Sequence, residues 1–149
     1  VDAQVEHSMG TTTLIGRATY IHEQQRLDAF FANGAEGAEE LRPTLATLRA
    51  NVSVMTDRRY GATVGFFQTT GTTDTLLYAP AQFTGSRTGS PNTVGESAEL
   101  NYNAWENVRL GLQYVYYNKF NGASSSYDVV GGRRASDNNT LYLYTWLVF

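Results

Sequence analysis

Residues 138–149, NNTLYLYTWLVF, carry the pattern that decides the class of fold. Leu141, Leu143, Leu147 and Phe149 share one parity, interrupted only by Thr145. Tyr142, Tyr144, Trp146 and Val148 occupy the other. Successive side chains of a β-strand point to opposite faces, so one aliphatic face backs one aromatic face. Most soluble domains end in a few polar, loosely held residues. Here the alternation runs through to Phe149.

Upstream stretches repeat the pattern. In 108–117, VRLGLQYVYY, the residues Val108, Leu110, Leu112, Tyr114 and Tyr116 share a face. Arg109, Gly111, Gln113 and Tyr117 share the other, with Val115 as the exception. Residues 96–104, ESAELNYNA, place Ala98, Leu100, Tyr102 and Ala104 opposite Glu99, Asn101 and Asn103. Pairing Asn103 with Arg109 sets Leu100 against Leu112 and Glu99 against Gln113. Apolar then meets apolar, as register requires. The same test joins 44–56, TLATLRANVSVMT, to 60–70, YGATVGFFQTT, across a turn at 57–59. Thr56 then pairs with Tyr60, and Val52 with Val64. The stretch 12–26, TTLIGRATYIHEQQR, alternates poorly but reads as a strand. DAQVEH, within residues 1–11, reads as the end of a further one.

Between these strands the connections alternate in length. Short links fall near 8–11, 57–59 and 105–107, and long ones near 27–43, 71–95 and 118–138. Outer-membrane β-barrels have short periplasmic turns and long outer loops, and their strands alternate lipid-facing with lumen-facing residues. The fold expected is therefore all-β: an antiparallel meander of six to seven strands, forming a single region over 1–149. Six or seven strands fall short of a closed bacterial barrel, which has an even number from 8 upward. The region is expected to be the C-terminal part of a larger barrel. Trp105 and Trp146 would sit at the periplasmic interface as an aromatic girdle. A soluble antiparallel sandwich or barrel also alternates, one face on a core and one in water, and stands as the competing fold.

Composition removes several function classes. The net charge is −3 with no basic stripe, so nucleic acid is not an expected partner. The chain has no cysteine, hence no disulfide, thiolate metal site or covalently attached haem of its own. No run of 18 apolar residues is present, which excludes a transmembrane helix but not a barrel. The opening VDAQVEHSMG lacks the basic start and apolar core of an export signal, as expected of a mature or internal stretch of an exported protein. His7 and His22 have no metal-ligand spacing and read as polar strand-end residues. Asp74, Asp128 and Asp137 fit no EF-hand spacing and read as turn residues on an acidic outer surface. GAEGAEE, residues 34–40, reads as a short loop helix. No nucleophile, base and orienting acid show a catalytic arrangement, so an enzyme is not expected.

The candidate functional residues lie on the polar parity: Arg49, Asn51, Glu99, Asn101, Asn103, Arg109, Gln113 and Lys119. Inside a barrel such residues would set ion preference or cross-link the lumen wall. Gly61, Gly65 and Gly111, on the same parity, would leave room for bulky neighbours or an inserted segment.

From about residue 12 onward the chain resembles a group of proteobacterial outer-membrane proteins labelled cytochrome c. The phrases that carry the likeness are DRRYGATVGFF (57–67), TTDTLLYAP (72–80), TGSRTGSP (84–91), YNKFNGASS (117–125) and ASDNNTLYL (135–143). In that group a Cys-x-x-Cys-His haem segment precedes a barrel-like region, and this chain carries no such segment. The resemblance implies an outer-membrane location and lipid as a partner. It also implies a c-type haem or cytochrome borne on another segment, with the barrel as scaffold or conduit for electron transfer. A porin-like diffusion channel and a soluble β-sheet binding protein are the alternatives. The resemblance to outer-membrane barrels further makes Leu143, Leu147 and Phe149 an expected membrane-assembly signal.

Overall fold

A computed structural model describes residues 1–32 and 37–148, without the side chains of Phe30 and Ala32. Seven strands form one antiparallel sheet in chain order: β1 (Asp2–Met9), β2 (Thr12–Gln24), β3 (Thr44–Thr56), β4 (Tyr60–Gly71), β5 (Thr93–Trp105), β6 (Val108–Lys119) and β7 (Thr140–Leu147). Among the described residues only a short helix, α1 (Asp28–Ala32), and a 3-10 turn at Ala135–Asn138 interrupt the β-structure. DAQVEH belongs to edge strand β1, which pairs with β2 from Asp2↔Thr19 to Met9↔Thr12. The GAEGAEE stretch is not helical where it is described, at 37–40. The helix forms earlier, at Asp28–Ala32, while 33–36 lie outside the described residues.

The registers are those that alternation requires. Asn103 pairs with Arg109, Leu100 with Leu112 and Glu99 with Gln113. Thr56 pairs with Tyr60 and Val52 with Val64. Directly opposed partners share a face, so these pairs propagate one apolar row through the sheet, Gly16↔Val52↔Val64↔Ala98↔Tyr114↔Leu141. The poor alternation of β2 arises because Ile15 and Ile21 share a parity with Arg17, opposite Ser53 and Thr47 on the polar side. The β3–β4 turn places Asp57 and Arg58 at φ 51° and 55°, and Arg59 N donates to the Thr56 carbonyl at 3.0 Å. Two successive left-handed residues give a turn whose twist matches the flanking strands.

Two register shifts break the alternation. One extra residue in β5 lets Trp105 pair with Val108, which moves Trp105 onto the apolar row. One extra residue in β6 pairs Lys119 with Val94 instead of continuing beyond Tyr117↔Gly95. Lys119 thereby leaves the polar row to which its parity assigned it. Trp146 pairs with Arg109 on the polar side. Both tryptophans stand at the short-turn end, on opposite faces.

The surface area of 9,750 Å² far exceeds the roughly 7,600 Å² that a compact monomer of this mass would show. The excess comes from the sheet, whose β1 and β7 edges are both unpaired. Bulky aliphatics lie in the open on its apolar face: Leu143 is 83% exposed, and Leu100 and Val64 are 62% exposed. Among the described residues the buried hydrophobic side chains are Ala38, Tyr127 and Ala135, and all three lie in the long loops.

Candidate functional site: the polar face and the loop cap

The polar face gathers most of the predicted residues into one hydrogen-bonded field. Gln113 Nε2 donates to Glu99 Oε2 at 3.0 Å, and Asn101 Nδ2 approaches Glu99 Oε1 at 3.4 Å. Arg109 Nε donates to Asn103 Oδ1 at 3.0 Å, and Asn103 Nδ2 donates to the Arg58 carbonyl at 2.8 Å. Ser53 and Thr63 hydroxyls meet at 2.9 Å, and those of Thr47 and Thr69 at 3.3 Å. These side chains are half-buried, whereas Arg49 is exposed. Arg17 joins the field through Gln4 Oε1 at 2.9 Å. The broken alternation of β2 hid it in the sequence.

The glycines admit neighbours, as their parity suggested, and the neighbours come from the adjacent strand. A Cβ on Gly111 would stand 2.1 Å from the Tyr144 ring, and one on Gly61 2.3 Å from Asn101 Oδ1. On Gly95 it would meet the Phe67 ring at 2.4 Å. Each aromatic ring lies across the bare backbone of its partner, an arrangement that shields strand glycines and pins register.

At the opposite end from the short turns, the described parts of the loops between β2 and β3, β4 and β5, and β6 and β7 come together as a cap. Asp74 is fully buried and joins two of them. Its Oδ1 accepts from Leu76 N at 3.0 Å and Leu77 N at 2.7 Å; its Oδ2 accepts from Glu39 N at 2.7 Å and Glu40 N at 2.9 Å. Burial taken alone would raise its pKa, and is the largest single influence. The four backbone N–H groups together outweigh it and hold the carboxyl below its usual range. Burial, and after it the Asp74 charge, raise the pKa of Tyr78. Asp128, also buried, accepts from Gly131 N at 3.1 Å and Arg133 N at 2.9 Å. Neither aspartate therefore belongs to an acidic outer surface, because each is consumed in satisfying loop amides. Asp137 remains exposed and accepts from Arg134 N at 2.8 Å. Asp74 is followed by amides two and three positions on, the local pattern of an Asx turn. Its long-range partners Glu39 and Glu40 have no sequence signal.

Tyr127 is the centre of the cap and is wholly buried. Its hydroxyl donates to the Phe83 carbonyl at 2.9 Å and accepts from Arg133 Nε at 3.0 Å, while Arg133 lies 5.3 Å over the Phe83 ring. From Tyr127 a chain of edge-to-face rings leads to the sheet. Tyr127–Phe120 centroids are 4.9 Å apart, Phe120–Tyr117 5.4 Å and Tyr117–Phe67 5.5 Å. Tyr117 and Phe67 stand on the polar face, so the cap is seated on that side of the sheet.

A c-type haem needs two thiols and a histidine in one short segment. This chain has no cysteine, and among the described residues no three His, Asp or Glu converge. His7 pairs with Leu14 and His22 with Ala46, both on the apolar face. Eight positions of β2 separate Leu14 from His22, roughly 26 Å of strand. These residues do not fit a haem. Phe149 lies outside the described residues. Leu143 and Leu147 are exposed on the apolar face of β7. No family model, curated protein or solved structure matches the chain.

Proposed function

We propose that this sheet is part of the wall of a bacterial outer-membrane β-barrel, with its polar face toward the lumen and its capped end outward. One observation carries the reading: the bulky aliphatic side is the open side, and the polar side is the hydrogen-bonded one. A water-soluble sheet would bury Leu100, Leu112 and Leu143 against a second layer. The dimensions agree with this reading. Strands β2 to β6 have 12 or 13 residues, about 40 Å of strand, which at barrel tilt spans a bilayer core of about 28 Å.

Closure follows from strand direction. With seven strands in sequential antiparallel order, β1 and β7 run the same way, toward the short turns. Antiparallel seams on both edges therefore need an odd number of further strands. A second copy of this sheet in the same orientation would meet it across parallel seams. Unpaired strand edges in lipid cost several kcal/mol for each backbone group left bare. The full-length protein should partition with outer membranes, resist carbonate extraction and migrate faster on gels before boiling than after. Recovery as a detergent-free soluble monomer would overturn the proposal.

The barrel's task is read as scaffold or conduit for a c-type haem module carried on another segment. The loop phrases at 57–67, 72–91 and 117–143 support this part. A haem stain of the full-length protein tests it. A folded barrel without haem favours the porin-like reading, which draws on the polar lumen face.

A further inference from the structure

Two adjacent rungs of the polar face enclose a trough. One rung runs Arg49↔Phe67↔Gly95↔Tyr117 and the next Asn51↔Gly65↔Ser97↔Val115. The central strands contribute Gly65, Ser97 and Gly95, all small, while β3 and β6 raise walls on either side. The resulting depression has a volume of about 300 Å³. Backbones of the two wall strands are about 14 Å apart, three strand spacings, before side chains narrow the gap. Phe67 closes one end, lying over Gly95 and edge-on to Tyr117.

Charge in the trough is one-sided. Arg49 is the only ionisable side chain among its amide, hydroxyl and apolar lining, Tyr117 apart. Arg17 and Arg109 on the same face are held by Gln4 and Asn103. Arg49 has neither ion pair nor hydrogen bond among the described residues, where the one ion pair is Arg26–Asp28. The nearest carboxylate of the face, Glu99, lies on the next rung and is engaged by Gln113 and Asn101. An unpaired guanidinium offers a planar fork matched to a carboxylate. Asn51 and Ser97 add neutral donors beside it, and Val115, Phe67 and Tyr117 offer apolar and aromatic walls.

We infer that this trough binds a small aromatic carboxylate, its acid group on Arg49 and its ring above the Gly65–Ser97 pair, beside Phe67 and Val115. The inference rests on the polar face being a lumen wall that solutes can reach. It would give the barrel a preference for planar organic acids over neutral or cationic solutes of the same size.

Benzoate, benzamide and benzylamine are the probes, titrated calorimetrically into the full-length protein, with folding of every variant checked by circular dichroism. Benzoate should bind at least about ten-fold tighter than benzamide, with benzylamine weakest. Arg49→Gln should erase the benzoate preference, and Arg49→Lys should keep part of it, because charge remains while the fork is lost. Val115→Trp fills the trough with Arg49 intact and should weaken benzoate and benzamide together. Arg42→Gln, in the loop before β3, should change nothing. Equal binding of benzoate and benzamide by folded wild type would overturn the inference, as would a preference that survives Arg49→Gln. Fractionation tests the membrane reading separately: a folded but soluble protein would sink that reading, and the same titration would still judge the trough.

Discussion

Four backbone N–H groups from two loops converge on Asp74, so a change there is felt in both. Asp74→Ala strands these donors in a buried place, and should loosen the cap by roughly 3 kcal/mol. That corresponds to about a hundred-fold faster hydrogen exchange at the Glu39, Glu40, Leu76 and Leu77 amides. The same carboxyl sets a pH dependence. Its folded pKa is depressed, so its stabilisation is complete above the unfolded value of about 3.9 and disappears as pH falls through the folded value. Cap exchange, corrected for intrinsic rates, should be flat from neutral pH to about 5 and rise below about 4, and Asp74→Asn should abolish that rise. A flat profile in the wild type would count against the role given to Asp74. Gly111 is the second sensitive residue. Gly111→Ala drives a methyl into the Tyr144 ring and should cost about 1–3 kcal/mol. In a Tyr144→Ser background the same change should cost under about 0.5 kcal/mol, read from urea midpoints of the four proteins.

Individual strands separate the membrane and soluble readings. Leu143 on β7 is 83% exposed, next to Leu112. On a soluble surface Leu143→Arg would be close to neutral. Facing lipid near the bilayer centre, it should destabilise the barrel by about 2–4 kcal/mol. Denaturant titration of the folded protein in lipid vesicles distinguishes these outcomes. The end of β7 carries a second expectation. If Leu143, Leu147 and Phe149 form an assembly signal, deleting Phe149 should lower the outer-membrane level of the full-length protein, and adding a polar residue after it should do the same. Phe149→Tyr keeps a ring at the boundary and should be tolerated. Immunoblots of membrane fractions check all three, and equal folded amounts would make the terminal strand ordinary.

At the scale of the whole molecule the question is what happens at the two free edges. In the full-length protein the outward-pointing amides of β1 and β7 should be as protected from exchange as those of β4, because closure gives each a partner. Persistent fast exchange at both edges in lipid would mean an open sheet and would remove the basis for a lumen. The cap adds a global feature of its own. Its three loops share the buried Asp74, Asp128 and Tyr127, and the chain of rings from Tyr127 to Phe67 fastens it to the polar side. Among the described residues the buried Asp74, Asp128 and Tyr127 thus lie above the sheet, where an outer-membrane protein would meet the exterior.

Alternation by itself determined the strands from β3 onward, the registers of β3–β4 and of the middle of β5–β6, and the two faces there. Apolar must align with apolar across a ladder, and a slip of one residue would invert every side chain. Hence Leu100↔Leu112 and Val52↔Val64 were legible in the sequence, as was the polar face that carries Arg49, Glu99 and Gln113. Position 119 was not, because an extra residue in β6 resets the parity and nothing local announces it. Arg17 escaped notice because Ile15 and Ile21 blur its strand. The trough and the cap were decided only by tertiary structure. Arg49 and Val115 are 66 positions apart in the chain and line one trough from opposite sides, across two intervening strands that carry small residues. Asp74 reads locally as a turn residue, and became a buried junction only when a distant loop brought Glu39 and Glu40 to its second oxygen. Short-range periodicity is written in neighbouring residues, whereas the choice of which loop satisfies a buried carboxylate depends on how the whole chain folds back on itself.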